Sequence, residues 1–276
     1  MTINCRGHLL DLTEPVVMGI LNSTPDSFFD GGKYQVEDQI RFRAEQILTQ
    51  GGLIIDIGGY SSRPGATPVS EEEELYRVRK AVQVVVRNFP DAIISVDTFR
   101  ASVATAAILE GAAMINDISA GMLDPQMIPE VARLQVPYIM MHMRGTSATM
   151  SELTRYDHLT EEIVRYFSER IAYARSLGIS DLIIDPGFGF AKTLEQNFEL
   201  LNKLADFALL NLPILVGVSR KSMIYKLLNS SPSEALNGTS ALHMAALERG
   251  ASILRVHDVK EAEECITLFR KLYNRY

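Results

Sequence analysis

Carboxylates, amides and one imidazole close a series of short apolar runs: Asn22 after VVMGIL, Asp97 in AIISVD, Asn116 and Asp117 in AAMIND, His142 in PYIMMH, and Asp185 in LIID. Amide and carboxylate groups converging on one pocket suit a flat heterocycle whose edge carries both N–H donors and acceptors, because each buried polar edge needs a partner. A second set is basic. Lys221 lies in SRKS, Arg255 and His257 lie in RVHD, and SRKS opens a helical segment whose start attracts anions. The two sets together describe a pocket for a heterocycle that carries an anionic group. Each residue also has a plainer role open to it. Asp97, Asn116 or Asp117 could cap the following helix, Arg255 could pair with an interior carboxylate, and His257 could be a satisfied interior histidine.

Three loops rich in turn residues accompany these groups: NSTPDSFFDGG, GGYSSRPGATPVS and DPGFGF. The first carries Phe28 and Phe29, two large rings that turn chemistry does not explain. In the second, Pro64 and Gly65 would hold Arg63 in place, although a solvated loop charge is the alternative. In the third, Phe188 and Phe190 are either core plugs or walls for an aromatic ligand. No HExxH or CxxC pattern occurs. A cation taking part is expected to be Mg²⁺, held by Asn22 and by phosphates of the substrate itself.

Something must bring residues so far apart in the chain together. Eight β-branched apolar runs, VVMGIL, LIIDIG, AIISVD, AAMIND, PYIMMH, LIIDPG, PILVGV and SILRVH, alternate with amphipathic segments such as QVEDQIRFRAEQILTQGG and SEEEELYRVRKAVQVVVRNFP. Near-continuous apolar strands alternating with helices imply a parallel sheet covered by helices, and eight units are the number that closes a (β/α)8 TIM barrel. A doubly wound sheet would show the same alternation, but the first strand-to-helix turn lacks the GxGxxG fingerprint. INCRGHLLDL is expected to add a short N-terminal β-hairpin at the bottom of the barrel. No linker or repeat divides residues 1–276, so one domain is expected. In such a barrel, residues at the C-terminal strand ends carry the chemistry, and the last two strands commonly bind phosphate.

The chain has 27 basic and 34 acidic residues, a formal charge of −7, which argues against a general nucleic-acid surface while leaving room for a local anion site. The two cysteines, Cys5 and Cys265, fit neither a disulfide framework nor a zinc cluster. No signal-peptide pattern and no apolar run long enough to span a bilayer occur. A cytoplasmic protein without membrane or nucleic-acid partners is expected.

Through MGILNSTPDSFFDGG, DIGGYSSRPGA, ISVDT, IND, MHMRG, DPGFGF, SRKS and RVHD, in this order from about Val16 to Val259, the sequence resembles the dihydropteroate synthase family of folate biosynthesis. The resemblance implies a transferase that joins 6-hydroxymethyl-7,8-dihydropterin diphosphate to 4-aminobenzoate, with Mg²⁺, by a dissociative route in which diphosphate leaves first. It implies that Asp97, Asn116, Asp185 and Lys221 hold the pterin ring, with Ser62 at the same substrate. Asn22, Arg255 and His257 would then hold the diphosphate and its magnesium. Asp97, Lys221, Asp30 and Arg63 would act in the chemical step. Phe28, Ser62, Arg63, Pro64, Phe190 and Ser219 would form the 4-aminobenzoate slot, where sulfonamides compete in this family. Ser23 to Gly32 would close as a lid over the bound pterin, and a homodimer is implied.

Two departures stand out. GGYSSRPG replaces the common GGESTRPG, which puts Tyr60 where the family has a carboxylate and Ser62 where it has Thr. FFDGG replaces FSDGG and adds Phe29. The rival expectations are a methyltetrahydrofolate-dependent methyltransferase, which would have no diphosphate to bind, and a homologue that binds pterin without turnover.

Overall fold

The computed structural model of the protein describes residues 1–23, 33–60 and 68–273, with the side chains of residues 33 and 34 excepted. Strands β1 (Thr2–Cys5) and β2 (His8–Asp11) pair antiparallel, with Cys5 opposite His8. This is the expected hairpin. Eight further strands follow: β3 (Val16–Asn22), β4 (Ile54–Gly58), β5 (Ile93–Asp97), β6 (Met114–Asp117), β7 (Tyr138–Met141), β8 (Leu182–Asp185), β9 (Ile214–Val216) and β10 (Ala251–Val256). They pair in chain order, each parallel to the next, and β10 closes the ring against β3. The expected (β/α)8 barrel is therefore present.

The helices are α1 (Lys33–Thr49), α2 (Glu71–Asn88), α3 (Ala101–Glu110), α4 (Met127–Leu134), α5 (Leu159–Ser176), α6 (Leu194–Asn202), α7 (Ser222–Leu227), α8 (Leu236–Glu248) and α9 (Val259–Leu272). Their ends follow local chemistry. Ser70 caps α2 by accepting from the Glu73 amide, and four glutamates occupy that first turn, where the helix dipole favours negative charge. Thr193 and Gln196 form a reciprocal capping box on α6, and Gly111, with φ of 119°, terminates α3 in the left-handed region. Among the described residues no helix is long and apolar enough to cross a membrane.

Strand periodicity sorts the barrel residues into two sets. Val17, Leu21, Ile55, Ile57, Val96, Ile115, Tyr138, Met140, Ile184, Val216 and Leu254 face outward and pack with the helices. Val16, Met18, Ile54, Met114, Ile139, Ile183, Leu215 and Ile253 face inward and form a second apolar layer with Ile3, Cys5, Leu10 and Leu12 of the hairpin segment. These inward residues come from the lower parts of the strands, so the hairpin seals the N-terminal end and leaves the C-terminal end to be filled by something else.

Candidate active site

Further along six of the eight inward rows, apolar residues give way to polar ones. Asn22 lies on the row of Met18, Asp56 on that of Ile54, Asp97 on that of Ile93, Asn116 on that of Met114, Asp185 on that of Ile183 and Arg255 on that of Ile253. These are the side chains that the barrel mouth collects. Asn22, Asp97, Asn116, Asp185 and Arg255 were singled out from the sequence; Asp56 was not. Its only signal was an acidic residue inside the apolar run LIIDIG.

Asp56 turns out to be central. Its Oδ2 accepts from Arg255 Nε at 2.6 Å and from Asn116 Nδ2 at 3.1 Å, while Arg255 Nη2 donates to Asp97 Oδ2 at 2.6 Å. Arg255 is thus held by two carboxylates, the interior pairing left open by its sequence. Burial works against the Arg255 charge, but Asp56 and Asp97 outweigh it and hold the guanidinium above its ordinary pKa. Its Nη1 has no hydrogen-bond partner among the described residues. The second oxygen of Asp56, Oδ1, is buried with no partner among them either. A buried acceptor left in that condition costs roughly 1–3 kcal/mol unless a ligand or water donates to it.

Asp97 and Asp185 are both shifted upward. Burial pushes Asp97 up to about 7, with the charges of Asp56, Glu74 and Asp117 adding to the rise and Arg255 opposing it. Burial also raises Asp185, against the pull of Lys221 and of the Gly187 amide, which donates to Asp185 Oδ1 at 2.8 Å. Lys221 answers from the β9–α7 turn. Burial lowers its ammonium to about 8 although Asp185 and Asp97 favour its charge, and it donates to the Phe188 carbonyl and lies 4.9 Å from the centre of the Phe190 ring.

The DPGFGF turn divides its two phenylalanines. Phe188 is fully buried in the barrel–helix core, while Phe190 packs at the mouth with Ile118, Met141, Met143, Phe99 and Leu123. Gly187 is required there. Its φ is 75°, and a Cβ would lie inside van der Waals distance of the His142 carbonyl oxygen.

Beyond the neighbouring strand β9, Ser219 is buried, its hydroxyl lies 3.2 Å from His257 Nδ1, and it accepts from the His257 backbone amide at 3.2 Å. Arg220 is not a mouth residue. Its guanidinium pairs with both oxygens of Asp258, at 2.8 and 2.9 Å, and so ties the turn after β9 to the turn after β10. The Asn22 side chain has no hydrogen-bond partner among the described residues, and its Oδ1 faces Gly58 across β3 and β4.

Two sequence candidates fall outside the mouth because they sit one residue out of phase. Asp117 faces outward and is fully satisfied by Ser119 N and Oγ, Gly121 N and the Tyr138 hydroxyl. His142 also faces outward, stacked edge-on against Tyr166 at 4.9 Å. Tyr60 packs edge-on against Phe99 at 5.3 Å, with the Arg100 guanidinium 5.7 Å from its ring. Arg100 in turn pairs with buried Glu74. Phe28, Phe29 and Asp30, with the rest of the Ser23–Gly32 lid beyond Ser23, and Ser62, Arg63 and Pro64 lie outside the described residues.

A magnesium site can be tested against these donors. Among the described residues no group of three or more His, Cys, Asp or Glu side chains is arranged to hold a metal. Asn22 offers one hard oxygen, which fits a Mg²⁺ carried mainly by substrate phosphates and water rather than by a protein cage.

The family described as "Pterin binding enzyme" matches residues 18–257. The chain is similar to the dihydropteroate synthase of Escherichia coli K12, 45% identical with the whole of both chains covered. Among solved structures it is similar to the Yersinia pestis dihydropteroate synthase in a sulfonamide drug complex, with a TM-score of 0.93, 42% identity and full coverage of both chains. It is also similar to the Xanthomonas albilineans dihydropteroate synthase with 4-aminobenzoic acid, with a TM-score of 0.92, 40% identity and coverage of 99% and 98%. An inward row of acid and amide groups with one clamped arginine, carried on a barrel matched over its whole length, places this chain in the dihydropteroate synthase family of pterin-binding enzymes.

Proposed function

We propose that the protein condenses 6-hydroxymethyl-7,8-dihydropterin diphosphate with 4-aminobenzoate, giving 7,8-dihydropteroate and diphosphate in folate biosynthesis. The observation that carries this reading is the polar row itself: Asp97, Asn116, Asp185 and Lys221 share the mouth with the Arg255 clamp. A pterin edge offers adjacent N–H donors and ring acceptors. Asp185 accepts from the ring N–H and the exocyclic amine together, while Lys221 and Asn116 donate to ring acceptors. A pair of ligand donors would also stabilise the charge that burial disfavours on Asp185.

In the reaction the C–O bond between the exocyclic methylene and the diphosphate breaks, and the electron pair leaves with the diphosphate. The arylamine nitrogen then forms the new C–N bond to the methylene cation and gives up a proton. Asp97, and Asp30 by its place in the motif, stabilise the developing positive charge, while Arg255 and His257 stabilise the leaving anion. No protein nucleophile is needed. Asn22 would be the protein ligand of a Mg²⁺, which would supply further charge neutralisation to the leaving diphosphate. Motif position assigns Phe28, Ser62, Arg63 and Pro64 to 4-aminobenzoate, together with Phe190 and Ser219. Sulfonamides would compete for that slot.

We extend the reading to a cytoplasmic homodimer. Exposed Leu268, Leu272 and Tyr273 on and just after α9, with Leu227 and Leu228 at the end of α7, give it apolar surface. Sedimentation of the purified protein as a monomer would remove this part alone. The synthase reading is tested by incubating the protein with the pterin diphosphate, Mg²⁺ and labelled 4-aminobenzoate. Labelled dihydropteroate is expected; bound pterin without product would leave a silent pterin-binding homologue instead.

A further inference from the structure

Behind the mouth, outside the strand wall, one lysine is buried without a carboxylate hydrogen-bonded to it. Lys192 is 8% exposed, and its Nζ lies 2.9 Å from the Gly187 carbonyl, 3.0 Å from the Phe190 carbonyl and 3.1 Å from His142 Nδ1. An ammonium has three N–H donors, and here each has one acceptor. The two carbonyls belong to the turn that carries Asp185 at its start, the Phe188 carbonyl that receives Lys221, and the Phe190 ring beside Lys221. His142 reaches the same turn through its backbone, its N–H donating to the Asp185 carbonyl at 2.9 Å and its own carbonyl crowding Gly187.

We propose that Lys192 is a positioning residue for pterin binding: its ammonium clasps residues 187–190 to His142 and so fixes where Asp185 and Lys221 meet the heterocycle. Three features support this beyond the hydrogen bonds. The turn has an unusual shape, with the left-handed φ of 75° and 81° at Gly187 and Gly189 adopted freely by glycine and that of 49° at Ala191 costly for a residue with a side chain, so an internal tie favours it over its alternatives. In its ammonium form the tie is charged, and the Asp185 and Lys192 charges then stabilise each other, so Lys192 adds to the field at the pterin edge from behind the wall. Burial lowers Lys192 to about 7, with Lys221 and Arg144 also disfavouring its charge, and lowers His142 well below its ordinary value, which leaves Nδ1 free to accept. The rings of Tyr156, Tyr166 and Phe167 flank His142.

This inference rests on the synthase reading for its kinetic arm and on pterin binding alone for its second arm. Lys192→Met keeps the length of the side chain and removes the donors. With folding checked by circular dichroism, it is expected to raise the KM for the pterin diphosphate and the Kd for diphosphate-free 6-hydroxymethylpterin by about tenfold or more, the size of effect seen when a group that orients a binding residue is removed. The KM for 4-aminobenzoate, whose slot shares only Phe190 with this turn, should rise clearly less than the KM for the pterin diphosphate. Where the methionine variant does not fold, His142→Phe removes only one acceptor and should raise the pterin Kd several-fold in the same direction. Unchanged pterin Kd in the folded variant, or a fall in kcat alone, would overturn the proposal, as would equal losses for both substrates. A wild-type protein that binds the pterin but makes no product would overturn the synthase reading while the pterin Kd values still decide the role of Lys192.

Discussion

Arg255 Nε donates to Asp56 Oδ2 at 2.6 Å, joining β10 to β4 across the barrel interior between residues 199 positions apart in the chain. The pair is enclosed on the Asp56 side, whose carboxylate is fully buried, so the attraction is only weakly screened. A buried pair of this kind matters most when it is broken, because the donors left behind lose their acceptor, even though Arg255 keeps its second carboxylate, Asp97.

Asp56→Ala should cost about 1–3 kcal/mol of folding stability, since it leaves Arg255 Nε and Asn116 Nδ2 without their acceptor while Arg255 keeps Asp97. Thermal or urea unfolding measures the loss. The same variant removes a neighbour that raises Asp97, so the acid limb of the pH–activity profile should move to lower pH.

Arg255 and His257 should separate by ligand. Because Arg255 neutralises Asp56 and Asp97 as well as facing the anion, Arg255→Ala should weaken both the pterin diphosphate and a diphosphate-free pterin. His257, two residues beyond Arg255 and seated against Ser219, should affect chiefly the diphosphate. His257→Ala is expected to lose about tenfold in affinity for the diphosphate substrate, the scale of one hydrogen bond to a charged group, with the diphosphate-free pterin nearly unchanged. Calorimetry with the two ligands checks both.

The pH profile of kcat/KM for the pterin substrate should be a narrow bell. Activity is expected to rise as Asp97 ionises near pH 7 and to fall above about pH 8 as Lys221 loses its proton. The limbs belong to the coupled site rather than to either residue by itself. Asp97→Asn should flatten the acid limb. Stability runs the other way. The folded pKa of Asp97 lies above its unfolded value of about 4, so its contribution is fully present below about pH 4 and is lost as pH rises to about 7. Unfolding midpoints for wild type and Asp97→Asn across that window should converge toward low pH.

Gly187→Ala should lose pterin binding and stability together. The added methyl group meets the His142 backbone carbonyl, which cannot swing aside as a side chain would, and the left-handed φ adds about 1–3 kcal/mol of strain. Unfolding and pterin binding of the one variant give both readings.

Magnesium dependence should track Asn22. Chelation is expected to reduce turnover of the pterin diphosphate while leaving the binding of diphosphate-free pterin intact, and Asn22→Ala should raise the Mg²⁺ concentration needed for half-maximal rate. Titration of Mg²⁺ against initial rate measures it.

The barrel was legible before any coordinate because its cause is local. Eight apolar runs of strand length alternate with helical periodicity, and caps such as Ser70, Thr193 and Gly111 are written at the helix ends. The segments QVEDQIRFRAEQILTQGG and SEEEELYRVRKAVQVVVRNFP run three and two residues past the observed C-terminal ends, and the first helix begins two residues earlier, at Lys33. The observed helices stop at Thr49 and Asn88, short of Gly51–Gly52 and of Pro90. The hairpin was legible too, from the Arg6–Gly7 turn between two short runs.

The polar candidates were also legible, since Asp97, Asn116, Asp185, Lys221 and Arg255 end or follow strands as such chemistry requires. What the sequence by itself determined was the set of groups available at one end of the barrel. What only the tertiary structure decided was which of them face inward together. Neighbours such as Asn116 and Asp117 differ by one residue, and in a strand one residue is a change of face. That single step sends Asn116 to Asp56 in the interior and Asp117 to Tyr138 in the helix layer. Asp56, buried in an apolar run, and Lys192, outside the strand series, acquire their partners only when segments far apart in the chain close into a ring.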